Sequence, residues 1–80
     1  MKEFTIYGRE DCAFCIKAIH LCLHNGYSFN FINITTAKIT KEQLSIKINQ
    51  PVRTVPQILT GSIYIGGSED LETHLINMPG

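Results

Sequence analysis

The 80-residue sequence predicts a single α/β domain, residues 1–80, with a mixed four-stranded sheet and three helices in the order βαβαββα. Short runs of strand-forming residues alternate with stretches that have helical spacing of apolar residues. A helical stretch separates the first two strand runs, which is typical of a right-handed parallel crossover. Gly61-Ser62 lies between the last two runs, and this pair indicates an antiparallel hairpin.

The first half of the chain contains two strands and the helix between them. A strand is predicted over residues 2–7, a charged loop over residues 8–11 and a helix over residues 13–25, with Gly26 where a helix often ends. A second strand over residues 29–34 has apolar residues on both faces, which predicts a buried parallel strand. The helix has one apolar stripe, made of Cys15, Ile16, Ile19, Cys22 and Leu23.

The second half begins with a helix from Thr40 to about Asn49. Thr40 and Gln43 have the spacing of a capping box, and Ile39 and Leu44 have the spacing of a hydrophobic staple. Strands are predicted over residues 57–59 and 63–65, and a last helix over residues 68–77. Together these elements form the minimal thioredoxin-like arrangement.

The composition excludes several classes of function. Acidic and basic residues number seven each, so the net charge is zero and no basic field is present to bind nucleic acid. Apolar stretches are too short to span a bilayer, and the first residues resemble a strand more than a signal peptide. We therefore expect a cytoplasmic protein with no nucleic-acid or membrane partner. We also expect it to be a monomer.

A pair of cysteines, Cys12 and Cys15, marks the point where the first strand gives way to a helix. A thiol at a helix start meets unpaired N–H groups and the positive end of the helix dipole, so we expect a lowered pKa for Cys12. Its thiolate would be the nucleophile of disulfide chemistry. Cys15 lies on the same helix face, close enough to close a disulfide with Cys12, and is expected to be the more shielded, resolving thiol.

The total of three cysteines disfavours other uses of these thiols. A secreted disulfide scaffold normally carries an even number, and a zinc site would need a second close pair. The only further candidates are His20, Cys22 and His24, so no metal is expected. Cys22 lies on the apolar stripe and is expected to be a small core residue.

Three segments in order resemble the glutaredoxin family. Residues 7–15, Tyr-Gly-Arg-Glu-Asp-Cys-Ala-Phe-Cys, are similar to its active-site segment. Residues 54–58, Thr-Val-Pro-Gln-Ile, resemble its cis-proline loop, and residues 65–71, Ile-Gly-Gly-Ser-Glu-Asp-Leu, resemble its glutathione-binding turn. The short chain is similar to the dithiol glutaredoxins of bacteria and phages.

The resemblance implies a glutathione-dependent thiol–disulfide oxidoreductase with the thioredoxin-like fold. Its substrates would be protein–glutathione mixed disulfides and protein disulfides, and ribonucleotide reductase is one electron acceptor of the family. It also implies a cis bond before Pro56, and that Cys12 and Cys15 are the catalytic thiols. The implied glutathione-binding residues are Arg9, Phe14, Thr54, Val55, Pro56, Gly67, Ser68, Glu69 and Asp70.

One departure from the family keeps a second hypothesis open. The family usually has Pro-Tyr between the cysteines, and this chain has Ala13-Phe14. Small residues there imply that a glutathione-ligated [2Fe-2S] cluster could form between two protomers, which would make the protein a cluster carrier or sensor. A third hypothesis is a redoxin that thioredoxin reductase reduces.

Overall fold

A computed structural model describes residues 3–77 and confirms the predicted order of elements. The predicted start of the first strand at Lys2 lies outside the described residues. Each other boundary agrees with its prediction to within two residues. The elements are β1 Glu3–Gly8, α1 Ala13–His24, β2 Ser28–Asn33, α2 Lys41–Ile48, β3 Gln57–Thr60, β4 Ile63–Gly66 and α3 Ser68–Ile76.

The four strands form one mixed sheet in the order β2-β1-β3-β4. β1 pairs in parallel with β2, so that Ile6 lies opposite Phe31, and it pairs antiparallel with β3, so that Ile6 also lies opposite Ile58. β3 and β4 form the predicted hairpin. The prediction that the second strand is buried was wrong, because β2 is an edge strand with one neighbour and its residues are half-buried or exposed.

The two faces of the sheet carry separate parts of the core. Phe4 and Ile6 of β1 pack with residues of α1 and α3 on one face, including Cys22 and Leu71. Tyr7 points to the other face and packs with Leu44 and other residues of α2. This alternation along β1 is the period of a strand with helices on both sides, and it confirms that helices cover both faces.

α1 contacts the sheet through a different set of residues from the predicted stripe. Its fully buried residues are Cys15, Ala18 and Cys22, which lie three and four positions apart. Ile16 and Leu23 belong to the predicted apolar stripe, but they are 45% and 59% exposed. Ile19 and Leu21 are half-buried and pack against the same core cluster as Ala18 and Cys22, so the stripe that faces the sheet leaves Ile16 and Leu23 outside it.

The caps of α2 and α1 agree with the sequence. The Thr40 hydroxyl accepts from the Gln43 N–H at 3.0 Å, and the Gln43 side chain accepts from the Thr40 N–H at 2.9 Å. Gly26 follows α1 with a φ of +71°, a conformation that glycine adopts readily. Among residues 3–77, no helix has both the length and the apolar character needed to cross a membrane.

Candidate active site

The Cys12 sulfur lies between the start of α1 and the loop before β3. Cys12 is the N-cap residue of α1, with extended backbone angles, and its Sγ accepts a hydrogen bond from the Cys15 N–H at 3.2 Å. On its other side the thiol donates to the Val55 carbonyl at 3.6 Å. Cys12 is half-buried and free. An N–H group that points at a sulfur stabilises the negative charge of a thiolate, so the position suits a nucleophile.

Cys15 lies directly behind Cys12 and is fully buried. Burial is the main cause that raises the pKa of the Cys15 thiol to about 12, and the neighbouring Cys12 sulfur raises it further through a hydrogen bond and its charge. A backbone hydrogen bond and the charge of Arg9 act in the opposite direction. Cys15 therefore holds its proton at neutral pH, as the predicted resolving thiol should.

Gly8, at the end of β1, makes room for the Cys15 sulfur. A methyl group built on Gly8 would lie 2.6 Å from Cys15 Sγ and 3.0 Å from the Phe31 ring. Any larger residue at this position would therefore displace Cys15 or the strand. The strand end and the helix start are packed together through this sulfur.

A surface pocket of about 220 Å³ opens beside Cys12. Its walls come from three parts of the chain: the start of α1, the loop before β3 and the turn between β4 and α3. Eight of the nine residues that the sequence predicts for glutathione binding line it together. They are Phe14, Thr54, Val55, Pro56, Gly67, Ser68, Glu69 and Asp70.

The loop wall contains the predicted cis peptide bond, between Val55 and Pro56. In this loop the Val55 carbonyl faces the Cys12 thiol at 3.6 Å. The nucleophile and the pocket are thus joined through one residue, Val55, which contacts the sulfur and lines the pocket.

The opposite wall is the start of α3. The Asp70 carboxylate accepts a hydrogen bond from the Gly67 N–H at 3.0 Å, which caps the helix. Gly66 has a φ of +126°, and a methyl group built on it would lie 2.8 Å from Asp70 Cγ. Gly66 therefore allows this carboxylate to fold back over the turn. The unpaired N–H groups of the first turn are a favourable place for an anion.

Comparison with known proteins identifies the family. A family model described as Glutaredoxin matches residues 4–65. Glutaredoxin 1 of Escherichia coli strain K12 is 39% identical to the chain, in an alignment that covers 85% of this chain and 86% of that protein. The chain belongs to the glutaredoxin family. A glutaredoxin of Haemophilus influenzae is 36% identical, over 85% of this chain and 84% of that protein.

The fold agrees with this assignment. The solution structure of reduced Escherichia coli glutaredoxin superimposes with a TM-score of 0.80 at 32% identity, covering 92% of this chain and 93% of that one. Glutaredoxins are thiol–disulfide oxidoreductases that use glutathione as co-substrate. In this glutaredoxin the redox-active pair is Cys12 and Cys15.

Arg9 is the one predicted glutathione-binding residue that does not line the pocket of this glutaredoxin. It lies instead at a separate groove that Ile34, Ile39 and Lys41 also line. The reason is local: Arg9 follows the last residue of β1, at the end of the sheet that faces the start of α2. A contact between Arg9 and glutathione stays a prediction.

Two residues that the sequence did not single out support the loop wall. The Tyr64 hydroxyl donates to Gln57 Oε1 at 2.6 Å, and Gln57 Nε2 donates to the Thr54 carbonyl at 2.9 Å. In the β3–β4 hairpin, Tyr64 lies opposite Leu59. Gln57 is two residues from Leu59 on the same face, so Tyr64 is its diagonal neighbour, and this register is the feature that would have indicated the contact. That register is known only once the strands are paired.

The other candidate ligands in the sequence do not assemble a metal site. Among residues 3–77, no group of three or more His, Cys, Asp or Glu side chains is close enough together to hold an ion. His20 and His24 stack on the exposed face of α1 with ring centroids 6.1 Å apart. Cys22 lies in the core, as predicted.

Proposed function

We propose that this glutaredoxin is a glutathione-dependent enzyme that reduces protein–glutathione mixed disulfides and protein disulfides. The observation that carries the proposal is the pocket beside Cys12, because residues predicted for glutathione from three separate segments line it together. The pocket is small and lies next to a half-buried thiol. This arrangement suits a substrate that is itself a short peptide with a sulfur atom.

In the proposed complex, the glutathione cysteine lies along the loop and its γ-glutamyl unit lies at the start of α3. The Val55 backbone pairs with the cysteinyl unit in the manner of one added strand. The γ-glutamyl carboxylate accepts from the N–H groups of Ser68 and Glu69, at the positive end of the helix. Asp70 uses one carboxylate oxygen for the Gly67 N–H and offers the other to the γ-glutamyl ammonium.

The first reaction transfers glutathione to Cys12. The Cys12 thiolate attacks the glutathione sulfur of a protein–glutathione disulfide, which forms the Cys12–glutathione bond and breaks the bond to the protein sulfur. The protein leaves as a thiolate and takes up a proton from water. The N–H of Cys15, 3.2 Å from the Cys12 sulfur, stabilises the attacking anion.

Two routes then regenerate Cys12. In one, the thiolate of a second glutathione attacks the bound glutathione sulfur, and glutathione disulfide leaves with Cys12 as the thiolate. In the other, Cys15 loses its proton and attacks the Cys12 sulfur, which forms the Cys12–Cys15 disulfide and releases glutathione; two further glutathiones reduce that disulfide. In the reduced enzyme the pKa of Cys15, raised to about 12 chiefly by burial, keeps this thiol protonated. The bond between Cys12 and glutathione removes the charge of Cys12, which is one of the smaller causes of the raised pKa.

The same dithiol reduces protein disulfides. Cys12 attacks one protein sulfur and the other leaves as a thiolate; Cys15 then attacks the Cys12 sulfur, which forms the Cys12–Cys15 disulfide and releases the first protein sulfur. We include ribonucleotide reductase among the proposed acceptors on the family resemblance alone. The cytoplasm is the proposed location, because the cycle needs a supply of reduced glutathione. We propose that the enzyme acts as a monomer.

A titration of the Cys12→Ser variant with glutathione, followed by amide NMR shifts, tests the proposed site without turnover. We expect saturable shifts confined to Phe14, the loop around Val55 and the turn around Ser68. Cysteinylglycine is the matched ligand, because it lacks the γ-glutamyl unit and should leave the Ser68 turn unshifted. The absence of saturable shifts with glutathione at millimolar concentration would contradict the proposal.

The hypothesis of a redoxin reduced by thioredoxin reductase makes a different prediction. Such a protein needs no glutathione pocket, and the eight-residue pocket beside Cys12 therefore favours the glutathione route. Reduction of the Cys12–Cys15 disulfide by millimolar glutathione distinguishes the two hypotheses. Failure of glutathione to reduce it would favour the reductase.

The hypothesis of a glutathione-ligated [2Fe-2S] cluster depends on Ala13 and has its own test. Anaerobic reconstitution with iron, sulfide and glutathione is followed by the visible spectrum and by the oligomeric state. A colourless monomer would contradict cluster binding, and a coloured dimer would support it.

A further inference from the structure

The buried amide of Gln57 connects the pocket to the hairpin behind it. Gln57 is 6% exposed and makes two hydrogen bonds, one to the Thr54 carbonyl at 2.9 Å and one from the Tyr64 hydroxyl at 2.6 Å. We propose that Gln57 and Tyr64, here called the Gln57–Tyr64 pair, are positioning residues that hold the loop of residues 54–56 in the shape that binds glutathione. This inference rests on the proposed function and names the two residues that hold the glutathione-binding loop in place.

Only one orientation of the Gln57 amide satisfies both partners. The Thr54 carbonyl can only accept a hydrogen bond, so the amide NH₂ group must face it. The amide oxygen then faces Tyr64, whose hydroxyl can donate. The Thr54 carbonyl therefore sets the orientation of the amide, and the hydrogen bond from the Tyr64 hydroxyl holds the amide in place against that carbonyl.

The fixed carbonyl belongs to the segment that contacts both the nucleophile and the pocket. Thr54 precedes Val55, whose own carbonyl faces the Cys12 thiol at 3.6 Å. Thr54, Val55 and Pro56 all line the pocket. A shift of the Thr54 carbonyl would therefore move the backbone that is proposed to pair with the glutathione cysteine.

The charge of Asp70, on the opposite wall of the pocket, also affects Tyr64. Its pKa is raised above the ordinary value, mainly by burial and further by the charge of Asp70. A raised pKa keeps the hydroxyl protonated, and so able to donate to Gln57, over a wider range of pH. Tyr64 lies on β4, which leads directly into the turn before α3, so the Gln57–Tyr64 pair joins the loop to the strand that carries the opposite wall of the pocket.

Steady-state kinetics with a glutathionylated substrate test the role of the pair. Gln57→Met keeps the length of the side chain but removes both hydrogen bonds, and we expect KM to rise about 5- to 10-fold with kcat within about twofold. Tyr64→Phe leaves the amide in place, and we expect a smaller rise of about two- to threefold. The double variant should be no worse than Gln57→Met alone, because both changes act through the same amide.

A control variant separates positioning from general loss of stability. Thr40→Ala removes the cap of α2, away from the pocket, and should lower stability without a change in KM. NMR relaxation gives a second readout: the order parameters of the Thr54 and Val55 amides should fall in Gln57→Met and stay at the wild-type value in Thr40→Ala.

The outcomes separate this inference from the proposed function. A wild-type protein that does not turn over glutathionylated substrate would contradict the proposed function itself. An active wild type whose KM is unchanged in Gln57→Met would overturn the positioning role alone. Effects of Gln57→Met and Tyr64→Phe that multiply in the double variant would show that the two residues act separately, which also overturns the pair.

Discussion

The buried Cys15 thiol makes the stability of the protein depend on alkaline pH. Its pKa is raised from 9.0, the ordinary value, to about 12 in the folded protein, chiefly by burial. Above pH 9 the unfolded chain gives up this proton while the folded protein keeps it. Because the folded state then binds more protons, the free energy of unfolding falls as pH rises from 9 toward 12. Well below pH 9 both states keep the proton, and no stability is lost.

The size of the effect follows from the interval between the pKa of Cys15 in the unfolded chain, 9.0, and in the folded protein, about 12. Each pH unit between the two pKa values costs up to about 1.4 kcal/mol, so a rise from about pH 8.5 to about pH 10.5 should cost about 2 kcal/mol. Urea unfolding of the reduced protein, with a phosphine reductant present, measures this directly. Cys15→Ser is the matched control, because the raised pKa values of Cys22 and Tyr64 affect both proteins equally and cancel.

The difference in unfolding free energy between wild type and Cys15→Ser is the decisive quantity. It should shift by about 2 kcal/mol against the wild type between about pH 8.5 and about pH 10.5. A difference that stays constant with pH would refute the reasoning, since it would mean that folding leaves the proton affinity of Cys15 unchanged.

Three further predictions follow from the geometry of the site. At neutral pH, iodoacetamide should modify Cys12 and spare the buried Cys15, as peptide mass spectrometry would show; equal labelling would contradict the assigned roles. Gly66→Ala should lose about 1–3 kcal/mol of unfolding free energy and bind glutathione more weakly, because its methyl group meets Asp70, whereas Gly61→Ala, with open space around it, should retain binding. Because Arg9 lies at a separate groove, Arg9→Gln should change the KM for glutathionylated substrate by about twofold or less. A much larger rise would support the contact with glutathione that the family resemblance implies.

Local sequence signals were sufficient for the order of the elements. The capping box at Thr40 and Gln43, the glycine after α1 and the turn at Gly61 depend on residues close in the chain, and each is present as predicted. The cis bond before Pro56 is also present, but it could be expected only from the family resemblance, since most bonds before proline are trans.

Features that depend on long-range packing were harder to predict. The apolar pattern of β2 did not reveal that it would be an edge strand, and the apolar stripe of α1 did not reveal that Ile16 and Leu23 would stay exposed. Both outcomes depend on which strand or helix lies beside the segment. Apolar character alone does not specify that neighbour.

The predictions for the site divide in the same way, between features set by local sequence and features set by long-range packing. The eight residues that line the pocket all belong to the set that the three ordered motifs imply for glutathione, because each motif keeps its local shape and the fold brings the three together. The position of Arg9 and the hydrogen bonds of Gln57 could not be predicted in this way. They depend on the end of the sheet at which β1 stops and on the register across the β3–β4 hairpin.

Turnover of a glutathionylated protein by two single-cysteine variants tests most directly whether the sulfur at the start of α1 does the chemistry. With reduced glutathione supplied, Cys12→Ser should show no activity above the uncatalysed rate, and Cys15→Ser should still remove glutathione. Full activity in Cys12→Ser, or a complete loss in a folded Cys15→Ser protein, would contradict the assignment of the attacking and resolving thiols.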